Sequence, residues 1–194
     1  MNDIEIKAVA VGRQIQGWVR TDELEWLAKQ ALDSNLIIEL GSWHGRSTAT
    51  LACATPGKVI AIDTFKATNM EESIRMPEVL KVFNLLETDP EWLYKEFLKN
   101  INDFIEKIEI FRYNTNEAHK LLQNLIGKVD LLFIDADHSY KSVTDDITNY
   151  LPFVRKDGII CGHDYGFPGI TEAVIEKFPK VNVVPETTIW WERC

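Results

Sequence analysis

Glu39-Leu40-Gly41-Ser42-Trp43-His44-Gly45 places two glycines and a carboxylate directly after an apolar run, with a second carboxylate, Asp63, at the end of the next apolar run. Gly41 can take turn torsions that other residues avoid. Gly45 lets the chain approach a ligand, and the helix that follows offers free amides. An acid roughly 20 residues beyond such a turn suits a carboxylate that holds the two ribose hydroxyls of an adenosine cofactor. Further along, Asp135, Asp137 and His138 follow one apolar run, and His163, Asp164 and Tyr165 follow another. Those are the residue types of proton transfer and of divalent-metal ligation.

The elements that must position these residues are short apolar runs alternating with helical patterns. Strands are expected at Leu36–Leu40, Lys58–Asp63, Lys107–Tyr113, Val129–Asp135 and Gly158–Gly162. Two more strand-like segments follow, Val181–Val184 and Thr187–Trp191, and they must turn back antiparallel because too few residues remain for a crossover. Helices are expected over Ser47–Ala54 and from Asp89-Pro90, where Leu93, Phe97, Ile101 and Phe104 share a face. Another is expected after Thr115, with Ala118, Leu121, Leu122 and Leu125 on one face and Gly127 as its stop. Ser139 caps the next, and Ile170–Phe178 forms the last.

This alternation predicts an α/β fold of Rossmann-like, doubly wound type: a mostly parallel sheet with helices on both faces. Ligands of such sheets bind outside the carboxyl ends of the strands. Three of the four histidines, His44, His138 and His163, fall on that rim together with the acids; His119 lies elsewhere. Core packing does not account for titratable groups gathered on one rim.

Two stretches break the rhythm. Residues 1–35 read as an N-terminal helical cap, with a capping-box-like start at Asp22 and Glu25 and an apolar face of Leu24, Leu27, Ala28, Ala31 and Leu32. Residues 64–88 are long for a connection and read as a lid or substrate-recognition element, the alternative being a decorative helix around Pro77 to Leu86. A single domain is expected over all 194 residues.

Bulk properties bound the partners. A net charge of -9 repels phosphate backbones, so no nucleic-acid partner is expected. The N-terminus is too polar for a signal peptide and no apolar run has the length of a membrane span, so a soluble, cytoplasmic protein is expected. The three cysteines are too few and too dispersed for a disulfide framework or a zinc site, and Cys53 and Cys161 read as small core residues. Trp18, Trp190 and Trp191 are either pocket walls or contacts of a homo-oligomer.

A dinucleotide fold shares the Gly-rich turn and the distal acid. However, the loop lacks the G-x-G-x-x-G order, and Trp43 stands where a pyrophosphate turn wants a small residue. A sulfonium cofactor carries no pyrophosphate and does not need that turn.

The segments Ile38–Thr48, Ala61–Phe65, Asp130–Tyr140 and Gly158–Tyr165 together resemble the class I S-adenosylmethionine-dependent methyltransferases, in particular the small bacterial-type subgroup that includes sugar O-methyltransferases. The resemblance implies a seven-stranded sheet ending in an antiparallel hairpin. It implies S-adenosylmethionine contacts at Glu39, Gly41, Ser42, Gly45, Asp63 and Asp135, with adenine near Asn114 and Thr115. It also implies a divalent metal, Mg²⁺ or Mn²⁺, at Asp135, His163 and Asp164, although His163 departs from the usual acid there. His138 is the expected general base, assisted by Asp135, with His44 and His163 as rivals. The implied reaction is methyl transfer to a small-molecule acceptor, most readily a sugar hydroxyl. An NAD-linked oxidoreductase or a non-catalytic cofactor-binding protein are the alternatives.

Overall fold

In a computed structural model of the protein, residues 1–67 and 77–194 are described. Residues 68–76, which fall within the expected 64–88 lid, lie outside them. Helices α1 (Asp3–Arg13) and α2 (Thr21–Leu32) precede strand β1 (Leu36–Leu40). There follow α3 (Arg46–Ala54), β2 (Lys58–Ile62), α4 (Pro77–Thr88), α5 (Trp92–Ile101) and β3 (Ile108–Phe111). The second half holds α6 (Thr115–Ala118), β4 (Val129–Ile134), α7 (Tyr140–Tyr150), β5 (Val154–Gly162), α8 (Pro168–Lys177), β6 (Asn182–Val183) and β7 (Trp190–Arg193).

Among the described residues the sheet has seven strands in the order β3-β2-β1-β4-β5-β7-β6. β1 to β5 pair in parallel; β7 runs antiparallel to both β5 and β6. The closing pair is the expected hairpin, and β7 is the strand that runs against the rest. The sheet is doubly wound: from β1 the chain moves outward through β2 and β3, then returns to lay β4 and β5 on the other side. The crevice of such a sheet opens where that reversal occurs, between the carboxyl ends of β1 and β4.

Two apolar layers hold the sheet. One face packs Ile37, Val59, Leu131 and Phe133 against Ala28, Leu51 and Phe97. The other packs Ile38, Ile60, Leu132 and Ile160 against Ile147, Tyr150 and Val174. Strands buried on both sides explain the near-continuous apolar runs of β1, β2 and β4. Cys161 is buried in the core, while Cys53 is half-buried.

The N-terminal cap is two helices. α1 starts with a capping box in which Asn2 Oδ1 accepts from Glu5 N (2.9 Å) and Glu5 Oε2 accepts from Asn2 N (2.6 Å). The start of α2 differs from the Asp22/Glu25 expectation. Arg20 is the flanking residue, and its amide donates to Glu23 Oε2 at 2.7 Å. After β3 the expected long helix is only the four-residue α6 followed by 3₁₀ turns. Ala118 and Leu122 of its apolar face are buried but Leu121 is exposed, so the stripe is too short to hold an α-helix. The cap is Asn114, whose Oδ1 accepts from Asn116 N (2.9 Å), and not Thr115.

Candidate active site

The Gly loop is built by three devices. Gly41 takes φ +84°, and a Cβ there would come within 2.1 Å of the Asp135 carbonyl oxygen. The loop after β1 therefore lies directly against the end of β4. Asp63 then fastens it from the β2 side. Its Oδ2 accepts from the amides of Ser42 and Trp43, both at 2.8 Å, and its Oδ1 accepts from Phe65 N at 2.7 Å. A carboxylate has about four acceptor positions, so one remains on Oδ1. Glu39 anchors the loop from beneath. It is fully buried, and its Oε2 accepts from Ser42 Oγ (2.8 Å) and from Thr48 Oγ1. Burial pushes its carboxyl up to about 7 despite the Ser47, Thr48 and Ser42 hydroxyls that favour the charged form.

Two of the expected cofactor residues stand off the cavity lining. Glu39 lies behind the loop and is not among the residues lining the adjoining cavity. Gly45, at φ +89°, makes room for Ile101 and Phe97 of α5 and is likewise absent from the cavity lining.

The cavity, about 420 Å³, opens along the carboxyl ends of β1, β2 and β4. Gly41, Ser42, Asp63, Asn114, Thr115 and Asp135 all line it, as do the rim residues His138, His163 and Asp164. The sequence-predicted residues are thus brought together apart from Glu39 and Gly45. Thr115 is fixed through its carbonyl, which accepts from the Tyr150 hydroxyl at 2.8 Å.

At the β4 and β5 end, His138 Nε2 stands 3.2 Å from Asp164 Oδ2. His163 Nδ1 stands 3.2 Å from the same oxygen and 3.5 Å from Asp135 Oδ1. His163 Nε2 is 2.9 Å from Glu23 Oε2. Burial opposes charge on His163, but the surrounding carboxylates outweigh it, Asp135 foremost, and push the imidazole up to about 12. Asp164 is held well below the usual carboxylate range: burial raises it, and the two imidazoles more than offset that. His138 is shifted upward by its hydrogen bond to Asp164. Burial lifts Asp135.

The expected metal set of Asp135, His163 and Asp164 lies together at this end of the cavity. Both ring nitrogens of His163 face carboxylates, Nε2 toward Glu23 and Nδ1 toward Asp135 and Asp164. Among the described residues a different set, Asp135, His138 and Asp164, brings three ligand atoms within 4.8 Å of one another.

Of the rival bases, His44 is buried between Trp43 (5.3 Å) and Trp92 (5.6 Å) in edge-on contacts, and burial lowers it to about 4. Trp18 lines the cavity and packs on Trp43 at 5.4 Å, so it is a pocket wall. Trp190 is core, against Phe178, and Trp191 packs on Trp26.

Sequence reasoning missed Glu23. Besides His163 it accepts from Thr188 N and Thr188 Oγ1, each at 2.9 Å, and it is fully buried. An acid on the same helical face as Leu24, Leu27 and Ala31 was the available signal. Gln16, Gly17, Ser142 and Phe167 also line the cavity.

Residues 38–165 match a family model described as a methyltransferase domain. Among solved structures, the chain resembles CalS11, a calicheamicin methyltransferase, with 15% identity, a TM-score of 0.63, and coverage of 98% of this chain and 91% of that one. It also resembles the O-methyltransferase TomG from Streptomyces achromogenes, at 13% identity, TM-score 0.61, and 98% and 88% coverage. An O-methyltransferase from Bacillus cereus gives 15% identity, TM-score 0.60, and 98% and 90% coverage. The uncharacterized protein R132 of Acanthamoeba polyphaga mimivirus is 42% identical over 57 residues, 29% of this chain. That match spans about a quarter (26%) of the viral protein's length. The seven-stranded fold, the cavity at its switch point and a family model covering most of the chain agree: the protein belongs to the methyltransferase-domain family.

Proposed function

We propose that the protein transfers the methyl group of S-adenosylmethionine to a hydroxyl oxygen of a small-molecule acceptor. The observation that carries this is the placement of a carboxylate-oriented imidazole, His138 on Asp164, in the same cavity as the Asp63-fastened Gly loop. A bound sulfonium supplies an electrophilic methyl carbon. Ser42 and the free acceptor position of Asp63 would hold the cofactor's ribose, and Asn114 and Thr115 its adenine. Glu39 acts by holding the loop through Ser42.

His138 donates Nε2–H to Asp164, which leaves its lone pair on Nδ1. That nitrogen takes the acceptor's proton as the oxygen attacks, and Asp164 stabilises the imidazolium so formed. Asp135 lies beside the Gly loop, where a carboxylate favours a cationic cofactor.

A divalent metal would be held by Asp135, His138 and Asp164 and would lower the acceptor hydroxyl's pKa. Carboxylates plus one imidazole suit Mn²⁺ better than Mg²⁺. That use of His138 and its use as a base are alternatives, because both draw on the same ring.

The acceptor is expected to be a sugar or glycosylated metabolite. The structural neighbours include a TDP-rhamnose 3'-O-methyltransferase, and the net charge of -9 disfavours nucleic acid. No helix among the described residues is long and apolar enough to cross a membrane, and a cytoplasmic setting is part of the proposal. The test is transfer of label from methyl-labelled S-adenosylmethionine to a panel of nucleotide sugars and other hydroxylated small molecules. Label transfer that depends on His138 supports the reading. Binding of NAD(H), with none of S-adenosylhomocysteine, selects an oxidoreductase instead.

A further inference from the structure

Among the described residues, Arg46 is the one arginine or lysine that lines the cavity. It opens α3 directly after the Gly loop, and the mechanism above gives it no task. A guanidinium carries several N–H donors and no acceptor. One donor, on Nη1, goes to the Ile15 carbonyl at 2.9 Å. Nε is buried and has no hydrogen-bond partner among the described residues. No described carboxylate pairs with the group; burial, and after it the like charge of Arg13, lower its pKa. The stem is held in place, since a Cβ on Gly17 would come within 2.9 Å of Arg46 Cδ.

A cation sheltered from water is costly without a counter-charge, and the tether to Ile15 uses only part of the guanidinium. The start of α3 adds to the same demand. Its first turn carries no acid and its N-cap supplies no side-chain hydrogen bond, which leaves amide donors and the positive end of the helix beside Arg46. The β4 and β5 end of the cavity has the opposite character, lined by Asp135, Asp137 and Asp164. An anionic group is therefore disfavoured there and favoured at Arg46. The acceptor hydroxyl is needed at His138, on the acidic side. The cofactor carries a carboxylate on its amino-acid arm, and that arm is joined to the ribose that Ser42 would hold. Ser42 and Arg46 flank the same short loop, so the anion best placed for Arg46 is the one joined to that ribose. We propose that Arg46 binds the carboxylate of the cofactor's amino-acid arm, through its unpartnered donors and together with the first turn of α3. The contact selects the amino-acid-bearing nucleoside. It is the same before and after methyl transfer, so it contributes uniform binding rather than rate.

This inference rests on the reading of the cavity as an S-adenosylmethionine site. Its test is a ratio: calorimetric affinities for S-adenosylmethionine and for decarboxylated S-adenosylmethionine, which keeps the sulfonium and the amine and lacks only the carboxylate. The wild type should prefer the carboxylate form by at least about tenfold. Arg46→Gln should weaken S-adenosylmethionine by about tenfold to a hundredfold, the range of a charge-assisted contact, and should not weaken the decarboxylated form. Arg46→Lys keeps a cation on a similar stem and should lower the ratio by less; it serves alone if Arg46→Gln does not fold.

A wild-type ratio near one overturns the inference without any variant. If Arg46→Gln or Arg46→Lys weakens both ligands equally, Arg46 acts only by tethering Ile15, and the inference falls while the cofactor site stands. If the ratio is unchanged and the variant instead raises KM for a phosphate-bearing acceptor such as a nucleotide sugar, the anion belongs to the acceptor and the inference is again overturned. If neither ligand binds the wild type, the cofactor reading falls with it.

Discussion

Asp164 Oδ2 is shared between two imidazoles, lying 3.2 Å from His138 Nε2 and 3.2 Å from His163 Nδ1. His163 is buried and also meets Glu23 and Asp135, whereas His138 is partly exposed at the cavity. The carboxylate therefore has a fixed side and a working side, and it orients His138 from a position that His163 has already set.

His138→Ala is expected to lower the rate of methyl transfer by about a hundredfold to ten-thousandfold, the usual contribution of a positioned base. Affinity for S-adenosylhomocysteine should change little, because the cofactor loop is held by other residues. Single-turnover transfer of labelled methyl and calorimetry on the same preparation check both halves. A loss confined to cofactor binding would contradict the assignment.

Asp164→Asn removes the charge that orients His138 and leaves the side-chain volume unchanged. The rate should fall by roughly tenfold to a hundredfold, less than for loss of the base itself. Asp164→Asn in the His138→Ala background should add little, since residues that act as a unit are not additive. Additive losses would mean that Asp164 acts elsewhere.

Glu39 makes a pH-dependent prediction. Below its ordinary 4.5 the acid is protonated in both folded and unfolded chains and costs nothing. From 4.5 to about 7 the unfolded chain releases the proton and the folded chain retains it, so stability falls as pH rises. Above that window the full cost, roughly 3 kcal/mol from 1.36 kcal/mol per unit, is present. Glu39→Gln should therefore gain stability over the wild type between pH 4.5 and 8, as read from urea midpoints at the two pH values. A difference between the two proteins that is flat with pH would contradict the account.

Gly41→Ala tests the contact between the loop and β4. Its Cβ would meet the Asp135 carbonyl at 2.1 Å, and alanine disfavours φ +84°. A loss of about 2–4 kcal/mol is expected from strain and overpacking together, with a matching drop in Tm. Gly127→Ala is the control for positive φ alone, since a Cβ at Gly127 meets nothing within 4 Å.

The parallel sheet was legible because strands buried on both faces leave continuous apolar runs, as Ile37-Ile38 and Leu131-Leu132-Phe133 do. The rim was legible because polar groups end those runs: Gly41, Asp63, Asp135, His163. What was not legible is which way each polar side chain turns. Glu39 and Gly45 belong to the right loop but face inward, one toward Thr48 and the other toward Phe97. His163 enters the expected metal set through the family resemblance; its contact with Glu23, on the other side of the ring from Asp135 and Asp164, has no signal in the sequence. The Glu23 partnership joins residues 140 positions apart, a separation that no local pattern encodes. Within the expected helical cap of residues 1–35, α1 has no apolar stripe to mark it, because it buries Glu5 and Gly12 beside Ala8 and Val9; its signal is the capping box Asn2-x-x-Glu5.

The central claim is that the Asp63-fastened loop binds S-adenosylmethionine, and calorimetry with S-adenosylhomocysteine tests it most directly. The wild type should bind with one-to-one stoichiometry. Asp63→Ala strips three amides of their acceptor and should weaken binding by at least tenfold, since charge-assisted hydrogen bonds contribute about 1.5–3 kcal/mol each. No binding to the wild type, or equal binding to Asp63→Ala, would contradict the account.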